Sequence, residues 1–176
     1  TNNIDLAGEG GLVWLKSTNT TASHALFDTE LGATNFLVTS VNYAFDSPGD
    51  LNAFNNDGFS LNLVNGHGNF NNYEYASWTF RKQPGFFDIV TYTGDGTTSR
   101  DINHNLGTAP GAIIIKRTDA ISDWTFQHRY NNNYVQYLNS TAAQSNSGAT
   151  LQFNSTNFKV VGPPSGLAND KCTNIS

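Results

Sequence analysis

The sequence predicts an all-β protein: an antiparallel β-sandwich of the jelly-roll or lectin-like kind, built as two tandem repeats about 100 residues apart. Three observations lead there. Short runs of β-branched and aromatic residues recur about every 8–15 residues between Gly, Asn, Asp and Pro, as strands and turns do in a sandwich or barrel. No stretch keeps helical periodicity over three turns. Finally, Gly11-Leu12-Val13-Trp14-Leu15-Lys16-Ser17-Thr18 aligns without a gap on Gly111-Ala112-Ile113-Ile114-Ile115-Lys116-Arg117-Thr118, an offset of 111 − 11 = 100.

The runs read as strands are Leu12–Lys16, Ala25–Asp28, Asn35–Thr39, Gly58–Leu63, Tyr73–Phe80, Phe87–Thr93, Ala112–Arg117, Trp124–His128, Tyr134–Leu138, Thr150–Phe153 and Asn157–Val161. Phe86–Thr93, the Gly94-Asp95-Gly96-Thr97 segment and Arg100-Asp101-Ile102 read as strand, tight turn and return strand. Val41–Ala53, broken by Pro48-Gly49, reads as loop.

The similarity continues beyond its first block. Asn35–Ser40 matches Gln136–Thr141 at an offset of 101, and Phe54–Leu61 matches Phe153–Val160 at 99. The ends are uneven. The first repeat, 1–83, has only a return strand at Asn3–Leu6 and lacks an opening strand before it. The second, 84–176, ends in Lys171–Ser176, where the closing strand is missing or divergent from the aromatic Tyr73–Phe80. Two explanations stand: an excerpt of a longer array, or neighbouring chains that supply the missing strands. An uncovered sheet edge is an aggregation liability.

Composition excludes several classes. Charged residues are only 13% of the chain, and asparagine alone is about one residue in seven. With 12 Phe, 7 Tyr and 3 Trp against a net charge of −5, the chain can bury a core and is not a disordered polyelectrolyte. A pI near 5.1 argues against a binder of nucleic-acid phosphates. No apolar run approaches the ~20 residues of a membrane-spanning helix. The lone Cys172 has no internal disulfide partner. The chain starts at Thr1, contains no methionine and shows no signal-peptide pattern, so a processed chain or a fragment is expected.

Nothing in the sequence demands catalysis, and no catalytic residue, metal ligand or cofactor is assigned. His24, His67, His104 and His128 lie in different strands and turns with no metal-binding spacing, and His67 is expected at a solvent-facing loop tip. Glu9, Glu30 and Glu74 form no acid pair, and no Gly-x-Ser-x-Gly elbow occurs. Asp46, Asp50 and Asp57 are turn formers by default, with calcium binding as the alternative. The Asn-x-Ser/Thr sequons at Asn19, Asn139, Asn154 and Asn174 are what this composition produces on its own, with surface glycans in a secreted chain as the alternative. Two aromatic and amide clusters, Phe70–Tyr75 and Tyr130–Tyr134, have the chemistry that binds sugars. The candidate glycan-binding residues are Tyr130, Asn132, Tyr134, Asn72 and Tyr73. The alternative reading is that the aromatics fill the core and the asparagines make turns.

The blocks Gly11–Lys16, Leu26–Thr29, Asp57–Leu61, Ala76–Lys82, Pro84–Gly94 and Pro110–Asp119 resemble a repeated domain of unknown function. That domain occurs in tail-fibre-like and other virion structural proteins of marine tailed phages, cyanophages among them. The family's second copy usually ends in a Tyr-Val-Ala-Tyr-Leu-Phe-like strand, which Lys171–Ser176 does not match. The resemblance implies a non-enzymatic, oligomeric protein exposed on the virion, a tail fibre, appendage or capsid decoration. Its expected partners are other virion proteins, copies of itself and host surface polysaccharide. The competing expectation is a purely structural module that completes its sheets with neighbouring subunits and binds no ligand.

Overall fold

The computed structural model describes residues 2–63, 67–146 and 150–162, together with the backbone of 172–175. The chain is all-β and sandwich-like, and divides into two compact units, Thr1–Lys82 and Gln83–Ser176.

In unit 1, β1 (Gly11–Ser17) runs antiparallel to β2 (Ala25–Asp28), which pairs with the short β3 (Leu37–Val38). A second sheet holds β4 (Leu51–Asn55) and β5 (Gly58–Leu61), joined through the Asn56-Asp57 turn. The last strand, β6 (Tyr75–Arg81), returns to the first sheet and pairs along all of β1, giving the order β3-β2-β1-β6. Alternate residues of β1 and β2 face the second sheet, so Val13, Leu15, Ala25 and Phe27 meet Leu51, with Phe36 and Val38 closing one side. Burying each large apolar side chain contributes about 1.5–3 kcal/mol, and this layer is the main source of stability.

Gly11 is required where β1 meets β6, because a Cβ there would lie 2.1 Å from the Phe80 carbonyl oxygen. Gly49 is required beside the core for a similar reason: a Cβ would come within 2.6 Å of the Phe27 ring.

Unit 2 opens with β7 (Ile89–Tyr92) and β8 (Ser99–Asn103). Then come β9 (Ala112–Arg117), β10 (Thr125–His128), a single 3-10 turn at Arg129–Asn131, β11 (Gln136–Tyr137), β12 (Thr150–Phe153), β13 (Asn157–Val161) and β14 (Cys172–Ile175). One sheet has the order β11-β10-β9-β14-β7 and the other β12-β13-β8, so β7 and β8 part to opposite sheets. The core between them is Tyr92, Ile102, Ile113, Ile115, Leu151, Phe158 and Val160.

Several sequence expectations need correction. Asn3–Leu6 is not a strand: the Asp5 carboxylate accepts from Gly8 N–H at 2.7 Å and caps a one-turn helix, α1 (Leu6–Glu9). Val41–Ala53 is not loop throughout, since β4 starts at Leu51, fully buried opposite Leu61. Asn35–Thr39 is strand only at Leu37–Val38, because Phe36 exchanges both backbone hydrogen bonds with Asp46 instead, each 3.0 Å. The two strands expected to be split by Gly94–Thr97 do not pair with each other. The terminal segment supplies β14, inserted between β7 and β9; Lys171 and Ser176 lie outside the described residues.

Candidate functional site

Three surfaces are candidates: two aromatic clusters singled out in the sequence, and a cavity that was not.

In unit 1 the segment leading into β6, residues 70–74, is fastened by Asn19. Its side-chain amide donates to the Asn72 carbonyl at 3.1 Å, and its carbonyl accepts from Glu74 N–H at 3.1 Å. Asn72 itself takes a left-handed backbone conformation (φ 63°), which asparagine tolerates better than most residues. So held, Phe70, Tyr73 and Tyr75 form a ladder with ring centroids 5.2 and 6.3 Å apart. The Tyr75 hydroxyl accepts from Phe70 N–H at 3.2 Å. Phe70 and Tyr73 are exposed.

In unit 2 the 3-10 turn after β10 begins at His128, whose Nδ1 accepts from Tyr130 N–H at 3.3 Å. Tyr130 projects from it, 83% exposed, with the Arg129 guanidinium 5.2 Å from its ring centroid. Tyr134 is exposed as well. Asn132 is different: its amide donates to the Leu151 carbonyl at 3.2 Å, so its nitrogen is committed to the fold. Tyr130, Asn132 and Tyr134 thus share one loop of unit 2, and Asn72 and Tyr73 share one loop of unit 1.

The cavity lies in unit 1 between β5 and β6 and measures about 320 Å³. Among the described residues, Gly58, Phe59 and Leu61 of β5, Ser77 of β6 and Asn2 line it, and none of these carries a charge. Phe59 and Leu61 are half-buried and pack on the core from its edge.

The buried polar groups serve the fold. Asp50 Oδ2 accepts from Gly68 N–H at 2.7 Å and Asn69 N–H at 3.1 Å. His67, rather than standing at a solvent-facing tip, is half-buried with its ring 4.7 Å from that of Phe36. Asp88 Oδ1 accepts from Ile89 N–H and Oδ2 from Asn105 N–H, tying the start of β7 to the end of β8. His104 Nδ1 accepts from Leu106 N–H, which leaves Nε2–H to donate to the Asn154 carbonyl at 3.1 Å. Lys16 and the fully buried Lys116 each donate to a carbonyl of the turn that follows, Thr20 at 3.1 Å and Ser122 at 2.7 Å.

Electrostatics singles out Asp28. Burial pushes its carboxyl up to about 6, although Leu31 and Glu30 N–H groups both donate to Oδ1. His24 is held below the ordinary histidine value by burial and then by Lys16. Asp95 is lowered, first by the Thr97 hydroxyl that donates to it. His24 and Asp28 belong to unit 1 and Asp95 to unit 2, and none of the three is among the described residues lining the cavity. Among the described residues no group of three or more His, Cys, Asp or Glu could hold a metal ion, and no helix is long and apolar enough to cross a membrane.

No curated protein and no solved structure matches the chain. A family model does match, over residues 4–174, and so runs from before β1 into β14. The chain belongs to the family described as Domain of unknown function (DUF7483).

Proposed function

We propose that the chain is a non-enzymatic structural protein of a phage particle, exposed on the virion in a tail fibre, appendage or capsid decoration, where it completes its sheets with neighbouring subunits. On this reading it is two tandem copies of one jelly-roll or lectin-like sandwich. Supporting that view, β3-β2-β1-β6 and β11-β10-β9-β14 follow the same order of connection. Thr29 N–H donates to the Gly11 carbonyl at 3.0 Å, and Arg129 N–H to the Gly111 carbonyl at 2.9 Å, one hundred residues on. The resemblance of Ala76–Lys82, Pro84–Gly94 and Pro110–Asp119 to virion structural proteins supports the location.

One observation carries the assembly role. Unit 2 has strands flanking β13 and β14, whereas among the described residues β5 and β6 of unit 1 have no strand on their far sides. Sheet edges of this kind pair with other chains. Light scattering on the purified chain tests the role: a closed oligomer is expected, and a monodisperse monomer at high concentration counts against it.

Exposed Phe70 and Tyr73, stacked with half-buried Tyr75, together with Tyr130, favour a second reading, adsorption to host surface glycans. Repeated copies on a particle would give weak single sites avidity. Binding of the folded chain to a glycan array tests it, and release of reducing ends from host polysaccharide would instead indicate a depolymerase.

A further inference from the structure

The cavity of unit 1 has a definable occupant, an inference that rests on the two-copy, sheet-completing reading. In unit 2, β8 lies along β13 with Ile102 opposite Phe158, and β7 lies along β14 with Val90 opposite Asn174. Ile102 and Tyr92, with Val90 against them, close the core over Phe158 and Val160, which are fully buried. In unit 1, Phe59 and Leu61 hold the corresponding places opposite Phe54 and Leu51, and they stay half exposed around a cavity of about 320 Å³.

The geometry points to unit 1 as the acceptor of a two-strand β segment from another polypeptide, one strand added along β5 and the other along β6. The register follows from unit 2. A residue in the place of Ile102 sits against Phe59, and one in the place of Val90 sits against Ser77. The described residues of the lining carry no charge, so the inward positions of the donor are β-branched or aromatic, and a charge there would be buried without a partner among them. Backbone hydrogen bonds to the two edges supply affinity, and the inward side chains supply specificity.

The test uses the full chain and a synthetic peptide of residues 86–106, which contains β7 and β8. Expected are one-to-one binding and new hydrogen-exchange protection confined to Gly58–Leu61 and Tyr75–Thr79. Ser77→Lys, at an exposed position, should keep the fold and weaken binding at least about tenfold by placing a charge in the cavity. A peptide with Val90 and Ile102 both changed to Asp should not bind. Binding that Ser77→Lys leaves unchanged, or no protection of β5 and β6 in the folded chain, overturns the proposal. The two readings fail separately. A chain that self-associates while β5 and β6 stay unprotected keeps the assembly role and loses this acceptor site. A monomeric chain that takes up the peptide supports the acceptor site and counts against self-assembly.

Discussion

Asp28 stands opposite Leu12 across the β1–β2 ladder, both are buried, and the Asp28 Oδ2 has no hydrogen-bond partner. The carboxyl is pushed up from 3.8 to about 6, chiefly by burial, with Glu30 adding to the rise and Lys82 opposing it. An acid raised on folding makes the folded chain the tighter proton binder, so stability falls as pH rises through the window from about 4 to about 6. Below that window the cost is absent; above it the cost reaches at most about 3 kcal/mol. Asp28→Asn removes the charge and keeps an oxygen for Glu30 and Leu31 N–H. Urea unfolding should find it more stable than the parent by about 1–2 kcal/mol at pH 8, with the advantage gone at pH 4. An advantage independent of pH would show that the carboxyl titrates normally.

Gln127 and Asn132 close the outer edge of β12. The Gln127 side-chain oxygen accepts from Leu151 N–H at 3.0 Å, and the Asn132 amide donates to the Leu151 carbonyl. Both backbone groups of an edge residue are thereby satisfied by side chains, which blocks further strand pairing there. Gln127→Ala strands a buried N–H and should cost about 2 kcal/mol in urea unfolding; Asn132→Ala should cost about 1 kcal/mol. An unchanged midpoint for Gln127→Ala would mean that Leu151 N–H finds another acceptor.

Tyr130 and Tyr134 separate adsorption from folding. Both are exposed, so Tyr130→Ala and Tyr134→Ala should leave stability within about 0.5 kcal/mol. If the loop touches host glycans, each folded variant should bind host cells less well in a sedimentation assay. Normal adsorption by both would remove this loop from consideration and leave the Phe70–Tyr73–Tyr75 ladder as the remaining candidate.

The sheet strands with clear runs were legible because burial imposes composition: Ala25–Asp28, Ala112–Arg117, Thr150–Phe153 and Asn157–Val161 have the bounds their residues suggest. What was not legible depends on partners far along the chain. Cys172–Ile175 carries little β pattern, and its place is set by β7 and β9 on its two sides. Phe36 leaves the β2–β3 ladder because Asp46 offers it a second pairing, which no local window encodes. The aromatic loops could be named from Tyr130 and Tyr73, but Asn132 looked like a ligand-binding amide and is bonded to β12. The cavity needed the packing itself, since Phe59 and Phe158 sit in similar sequence and differ only in what flanks them.

That difference yields the last prediction. Phe158 is fully buried beneath Ile102, so Phe158→Ala should destabilise unit 2 by about 3–5 kcal/mol. Phe59 has no such cover, and Phe59→Ala should cost unit 1 only about 1–2 kcal/mol. Hydrogen exchange at β5 and β13 reads the two units separately. With the 86–106 peptide bound, Phe59 becomes the floor of a closed core, so Phe59→Ala should then weaken peptide binding by about tenfold. Equal costs at the two phenylalanines in the free chain would mean that Phe59 is already covered and that the flank of unit 1 needs no added strand.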